Sequence, residues 1–452
     1  MQELGGNMAE SWNLILKQNP WWQEKGFRFA EGKWPKRTIY RKTKSFLDLR
    51  LIVALNGLRR TGKTTILRQL ISDLLEQEEN SRRICYFSFE EAGIAQKTEV
   101  LEEVIESFAK EVLGKQIFQI RKKVYLFLDE IQFIPLWPVI LKRYYDLNQN
   151  LKFIISGSSS LFLREESKES LAGRLAEVVL YPLSFGEFLR FRRLPRSPST
   201  ETAPSLFHEF LATGQFPEII TWPDFFQKRA YLKDWVVDRV LERDLPRLLR
   251  VNFPEDLRSL AYALIEGSGG LIEFTNLAQD LGISRETVRT YSQFLEKALL
   301  FLQVLNLAGS FRRRQKRQRK IYPHSTNFLS LVWGEDYLGK NFSTNLGKVV
   351  ETYLASQLLQ EFGEVFFWRE RGKEVDFLVK HKGETWPIEV KYQARISGAD
   401  LAPLLWLMEK KKLAKGLVVT RSLEGVRNID SAKIFFLPAW RSEEIPQILT
   451  RT

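Results

Sequence analysis

The chain of 452 residues contains a single cysteine, Cys85, and only three histidines. One thiol excludes a disulfide framework, and three scattered histidines leave no zinc constellation. A reducing, cytoplasmic setting is the expectation. No apolar run approaches the roughly 20 residues that a membrane span needs. The opening "MQELGGNMAESWN" lacks the basic-then-apolar order of a secretory leader. A soluble protein with no membrane partner is expected, and internal repeats are absent too. Two things are plentiful. Apolar residues make up 44%, enough for real cores, and 68 Lys plus Arg stand against 55 Asp plus Glu, a formal charge of +13. Such an excess favours a polyanionic partner, nucleic acid before an acidic membrane surface.

The length suits about three domains. A segment rich in aromatic and basic residues (1–48; Trp12, Trp21, Trp22, Phe27, Lys36, Arg37) comes first. The apolar runs "LIVAL", "ICYFSF", "VYLFLDE" and "LKFIISGSSS" then alternate with helical stretches near 96–113 and 135–147. That alternation predicts a parallel α/β sheet over 49–193. "LPRSPSTETAPS" (194–205) reads as a linker and domain boundary, and a helical stretch follows to about Arg250. Short helices and a strand pair with a charged tip are expected over 251–335. Mixed α/β structure is expected over 336–452. The predicted fold class is multidomain α/β.

"GLRRTGKT" after an apolar strand and before a helix matches G-x-x-x-x-G-K-[ST]. Its glycines let backbone N–H groups curl around phosphates, Lys63 reaches the β and γ phosphates, and the Thr64 hydroxyl ligates Mg²⁺. Gly57, Arg59, Arg60, Thr61, Gly62, Lys63, Thr64 and Thr65 are the candidate ATP-binding positions. Asp129, ending "VYLFLDE", would hold the Mg²⁺, and Glu130 would polarise the attacking water. One of Ser156, Ser158 or Ser159 either senses the γ-phosphate or caps the strand. Arg174 is either an arginine finger, in cis or in a neighbouring subunit, or a surface ion pair.

As a set, "GLRRTGKTT", "LFLDEIQ", "IISGSSS", "LAGRL…LYPLSFGEFL" and "GQFPE" resemble archaeal and bacterial AAA+-type P-loop ATPases sometimes called John Doe ATPases. "GQFPE" departs from that family's usual double glycine. The resemblance, spanning about 38–440, implies an ATPase core, a helical lid (194–250), a winged helix-turn-helix (251–335) and a restriction-endonuclease-like domain (336–452). Branched DNA and a homo-oligomer are the partners it suggests.

"FTNLAQDLGISRETVRTYSQFLEKALLF" (274–301) has helix-turn-helix spacing, with small Ala278, Gly282 in the turn and core-facing Val288. Arg285, Thr287 and Arg289 would be exposed on the second helix. "FRRRQKRQRK" carries seven basic residues: Arg312, Arg313, Arg314, Lys316, Arg317, Arg319 and Lys320. They form either a DNA-binding wing, giving salt-dependent and sequence-indifferent affinity, or a solvated loop.

"KEVDFLVKHKGETWPIEVKYQ" (373–393) predicts a hairpin turning at Lys382-Gly383 and pairing Val375 with Val390, Phe377 with Ile388 and Val379 with Trp386. The same register opposes Asp376 and Glu389, with Lys391 along the face. Opposed carboxylates require a cation, or the register is wrong. Glu351 on the preceding helix, Asp376, Glu389 and Lys391 match the order of a restriction-endonuclease-like nuclease core, and are similar to archaeal Holliday junction resolvases. That similarity implies carboxylates binding Mg²⁺ or Mn²⁺, with the lysine orienting the water. Three functions compete: an ATP-driven DNA-processing enzyme, an ATP-controlled DNA-binding switch that does not cleave, and a gated defence nuclease.

Overall fold

A strand covered on both faces must be apolar along its whole length, whereas a half-buried strand alternates. Four strands of the first unit are of the first kind, and the fifth, over Leu175–Leu180, alternates. A computed structural model describes residues 12–77, 80–90, 97–158, 170–249, 251, 253–307, 318–334 and 340–450. In it β1 (Ile52–Gly57), β2 (Ile84–Ser88), β3 (Val124–Asp129), β4 (Leu151–Ser158) and β5 (Leu175–Leu180) form a wholly parallel sheet in the order β2-β3-β4-β1-β5. Alternate side chains serve opposite cores. Ile52 and Ala54 join Phe87, Leu126 and Phe153 on one face, while Val53 and Leu55 join Phe127, Ile154 and Ile66 on the other. Helix α1 (Lys63–Glu76) covers the second face, and α2 (Glu99–Ser107) and α3 (Trp137–Leu147) cover the first.

The N-terminal segment covers the exposed edge of this sheet. An edge strand presents unpaired N–H and C=O groups. Asn19 answers those of β2 from its side chain, donating to the Tyr86 carbonyl (2.8 Å) and accepting from its N–H (2.7 Å). Trp21 and Trp22 both donate their indole N–H to the Ile84 carbonyl.

The chain divides into two compact units between Tyr181 and Pro182. The linker-like 194–205 lies within the second unit. Interactions across it explain why: the Leu183 N–H donates to the Gln215 carbonyl (2.8 Å), and Phe185 and Phe188 pack with Phe207 and Phe210. Proline and serine content marks a loop, but only contacts mark a domain edge.

In the second unit β6 (Leu271–Ile272), β7 (Phe301–Asn306), β8 (Arg319–Pro323), β9 (Phe366–Glu370), β10 (Lys373–His381), β11 (Glu384–Lys391), β12 (Lys415–Thr420), β13 (Gly425–Ile429) and β14 (Ala432–Pro438) form one mixed sheet. Its order is β13-β14-β12-β11-β10-β9-β7-β8-β6. Parallel pairing of Leu305 with Phe366 and Asn306 with Phe367 joins β7 to β9, so 251–335 and 336–450 share this sheet. The β10–β11 turn puts Lys382 and Gly383 both at positive φ (49° and 84°), as a two-residue primed turn requires.

His324, just beyond β8, is buried, with Nδ1 hydrogen-bonded to the Ser356 hydroxyl at 3.0 Å. Burial pushes its imidazole down to about 3. The folded state therefore keeps His324 neutral, while the unfolded chain takes up a proton below about pH 6.5. Stability from this group is complete above that pH and falls as pH drops towards 3, by about 2 kcal/mol at pH 5. His324→Asn should flatten this part of the pH dependence of thermal unfolding between pH 7 and 5. An unchanged slope would contradict the assignment.

Candidate active site

At the carboxyl end of β1 the chain curls through 58–62 into α1. Gly62, at φ 98°, occupies a conformation closed to most side chains, and it aims the first N–H groups of α1 into the turn. Lys63 folds back over the loop, donating to the Gly57 and Leu58 carbonyls (3.0 and 2.9 Å). Arg60 is at φ 64°. The Thr61 hydroxyl is turned inward onto the Leu58 carbonyl (2.8 Å), and Arg59 pairs with Glu90 at 3.8 Å. Thr61 therefore braces the loop through its side chain. Thr65 is half-buried in the first turn of α1. Arg37 is a bracing residue the motif did not reveal, donating to the Thr61 carbonyl (2.7 Å) and the Tyr181 carbonyl (2.9 Å).

Although β4 separates β1 from β3, Thr64 Oγ1 donates to Asp129 Oδ2 at 2.7 Å. The Tyr86 hydroxyl donates to the same oxygen (3.0 Å), and the Ser156 hydroxyl donates to Oδ1. Burial and then the neighbouring Glu130 push the Asp129 carboxyl above its usual range, against the pull of these three donors. A buried, crowded carboxyl touching a hydroxyl fits a shared Mg²⁺, a hard cation that takes oxygen ligands. Glu130 follows in a left-handed conformation (φ 55°) and is 8% exposed. Gln132 Nε2 donates to Glu130 Oε2 and to Ser158 Oγ (3.3 Å). Tyr86 and Gln132 were not among the sequence candidates, although "LFLDEIQ" holds the second. Ser159 lies outside the described residues.

Arg174 cannot reach this site within its own chain. It precedes β5 at the end where Leu175 pairs with Ile52, whereas the phosphate loop leaves the opposite end, where Gly57 pairs with Leu180. Five residues of strand separate the two ends by about 16 Å. Arg174 makes a two-pronged ion pair with Asp146 (3.0 and 3.2 Å).

A second cluster lies in the mixed sheet. Helix α4 (Leu346–Phe362) supplies Glu351, β8 supplies Lys320 and Tyr322, β10 supplies Glu374 and Asp376, and β11 supplies Glu389 and Lys391. Phe377–Ile388 and Val379–Trp386 pair as the alternation predicts. Beyond them side chains replace the ladder: Asp376 Oδ2 accepts the Val390 N–H (2.8 Å) and Glu389 Oε2 accepts the Asp376 N–H (3.4 Å). Burial, then Glu389 and Glu351, push the Asp376 carboxyl well above its usual range. Burial also raises Glu389, against Lys391, whose ammonium sits 2.6 Å from Oε1.

Lys320 corrects one expectation. It is buried rather than on an exposed basic surface, 3% exposed and bonded to Glu351 Oε1 (3.0 Å) and Glu374 Oε1 (2.6 Å). The Tyr322 hydroxyl donates to the same Glu351 oxygen at 2.6 Å. Among the described residues no three His, Cys, Asp or Glu side chains are grouped to hold a metal ion. Within the expected Asp376–Glu389 metal pair, Asp376 Oδ2 is taken by the Val390 N–H, and the two Glu389 oxygens by Lys391 and the Asp376 N–H. Glu374 was overlooked, though it lies two residues from Asp376 on the same strand.

A third feature lies over 254–323. Helices α5 (Phe274–Leu281) and α6 (Arg285–Lys297) meet around Gly282, with Ala278 and Val288 buried. The Ser284 hydroxyl caps α6 through the Thr287 N–H (3.0 Å) and also bonds the Thr287 hydroxyl. Arg285 and Arg289 are exposed, Arg289 beside Glu286 at 3.8 Å. Arg319 turns inward, stacked 4.4 Å over the Phe274 ring. Arg312, Arg313, Arg314, Lys316 and Arg317 lie outside the described residues.

The first site, on its parallel sheet, is that of a P-loop nucleotide-binding domain. Residues 49–189 match the family described as AAA domain. Residues 204–326 and 346–440 match two families described as domains of unknown function, DUF8612 and DUF4143. An uncharacterized protein of Haemophilus influenzae is 23% identical over 400 residues, covering 87% of this chain and 95% of its own. Uncharacterized protein MJ1544 of Methanocaldococcus jannaschii is 28% identical over 342 residues, covering 73% and 72%. Among solved structures, the Walker-type ATPase PABY2304 of Pyrococcus abyssi aligns at TM-score 0.44 and 16% identity, over 69% of this chain and 99% of that one. The Thermotoga maritima RuvB Holliday junction branch migration motor aligns at TM-score 0.29 and 17% identity, over 64% and 94%. No described helix is long and apolar enough to cross a membrane.

Proposed function

We propose that the protein hydrolyses ATP and couples the turnover to work on DNA, branched DNA such as four-way junctions included. The observation that carries the first half is the junction of the Thr64 hydroxyl and the Asp129 carboxylate, 2.7 Å apart, with Glu130 and Gln132 beside them. Lys63 and the first N–H groups of α1 bind the phosphates. Thr64 and Asp129 would hold Mg²⁺, which neutralises charge on the β and γ phosphates. Glu130, oriented by Gln132, positions the attacking water and takes its proton. Arg174 serves a neighbouring copy in a homo-oligomer, where strand polarity no longer separates it from a phosphate. The net charge of +13 and the exposed Arg285 and Arg289 support DNA as the partner.

The pocket of Glu351, Asp376, Glu389 and Lys391 does not fit a divalent cation as arranged, so no cleavage step is assigned to it. The lysine-neutralised carboxylates favour a second reading, an ATP-controlled DNA-binding switch whose nuclease-like domain does not cut.

The DNA half is tested by anisotropy with labelled four-way junction, fork, single strand and duplex, with and without ATP. Arg285→Ala with Arg289→Ala should weaken binding to every duplex-containing probe and lower the salt dependence by about two charges. Wild-type affinity and salt dependence in the double variant would remove this surface from the DNA interface.

A further inference from the structure

Lys320 belongs by sequence to a basic run and by geometry to a carboxylate pocket. Its ammonium bridges Glu351 on α4 and Glu374 on β10, so three elements meet on one buried charge. Four carboxylates share this region: Glu351, Glu374, Asp376 and Glu389. Three cations answer them, Lys320, Lys391 at Glu389 and Arg369 at Glu374 (3.6 Å). Removing the Lys320 ammonium would leave the Glu351 and Glu374 carboxylates crowded against Asp376 without the buried cation that now bridges them, the kind of oxygen-rich pocket a divalent cation fills.

We infer that Lys320 is a built-in counter-cation that holds the place a divalent metal would otherwise take, keeping this nuclease-like pocket metal-free in the resting protein. The inference rests on the nuclease-like reading of the pocket. It explains why the carboxylates are packed together and yet form no metal-binding group: the charge that gathers them is a lysine from β8, covalently fixed and already desolvated. A cation supplied by the chain need not be recruited from solution, and while it is seated the Glu351 oxygen that Tyr322 also holds stays committed. Lys320 is thus a positioning residue, acting through Glu351 and Glu374.

Mn²⁺ binding to the nucleotide-free full-length protein, followed by electron paramagnetic resonance, tests this. Lys320→Met keeps the length of the side chain and removes its charge. That variant should unfold at a lower temperature than wild type without metal, should gain Mn²⁺ affinity by at least about tenfold, and should recover thermal stability as Mn²⁺ is added. Lys320→Arg, which keeps the charge, should show no such gain. In case Lys320→Met does not fold, the wild type decides the matter against Asp376→Asn: a Mn²⁺ ion bound by wild type and lost in Asp376→Asn would mean that Lys320 does not exclude metal. A folded Lys320→Met with wild-type Mn²⁺ affinity would equally overturn the inference. ATP turnover in the same preparations reports separately on the phosphate-loop reading, so failure of one is not mistaken for failure of the other.

Discussion

Glu130→Gln should lower the rate of ATP hydrolysis by about 10²–10³-fold while leaving ATP binding intact, the size of effect expected when a positioned general base is lost. The amide has the same shape, so the left-handed turn at φ 55° and the contact with Gln132 can persist. What disappears is the ability to take a proton from water. A non-Gly residue held in that conformation beside a buried carboxylate is the kind of strained placement that surrounding structure must enforce. Here Gln132, itself bonded to the Ser158 hydroxyl, holds the Glu130 carboxylate. The measurement is steady-state phosphate release beside equilibrium binding of a labelled nucleotide. Wild-type turnover in the variant would take Glu130 out of the chemistry.

Gly57→Ala should be the most damaging one-atom change in the first unit. Gly57 pairs with Leu180 where β1 ends, and a Cβ built there would lie 2.4 Å from the Leu180 carbonyl oxygen and 3.1 Å from its Cβ. Backbone cannot rotate out of the way as a side chain can, so β1 and β5 must separate. Overpacking of this kind costs about 1–3 kcal/mol. The strand being pushed is also the one that launches the phosphate loop, so ATP affinity should fall together with melting temperature. Thermal unfolding with and without ATP measures both: the ligand-induced rise expected of wild type should be lost or sharply reduced. An unchanged melting temperature with a normal ATP-induced rise would mean that the two strands are not packed as closely as this contact requires.

The strand–turn–helix unit around Lys63 is local in the chain, and local pattern is enough to place it. A strand, a glycine-containing turn and a helix follow one another within 25 residues (52–76), so Lys63 and Thr64 need no distant partner to be placed. The β10–β11 hairpin was legible for the same reason. Period two and a primed turn leave one register, and Phe377 faces Ile388 accordingly. The puzzle of Asp376 opposite Glu389 was legible as well, though its answer was not.

That answer depends on residues distant in the chain. Lys320 lies 31 positions before Glu351 and was grouped with Arg312–Arg319 because charge runs are read as continuous solvated faces. Pleating of β8 breaks the run, turning Lys320 into the sheet's interior side while Arg319 stacks on Phe274. Arg37 and Tyr86 are hidden for a related reason: each acts through a carbonyl or carboxylate brought near only when strands pair in the order β2-β3-β4-β1-β5, whereas Gln132 lies two residues from the Glu130 it holds. The position of Arg174 depends on that order too. Parallel polarity puts it at the end of β5 away from the phosphate loop, and no spacing in the chain reveals it.

Pattern alone settled many of the strands, where the loop after β1 begins and the Phe377–Ile388 and Val379–Trp386 pairs of the hairpin, because hydrophobic period and turn chemistry act over a few residues. Folding in three dimensions decided the rest: which carboxylates share a space, which cation answers them, and where one unit ends. Those outcomes depend on burial and on charges meeting across strands, and a buried charge must find its partner wherever in the chain it lies.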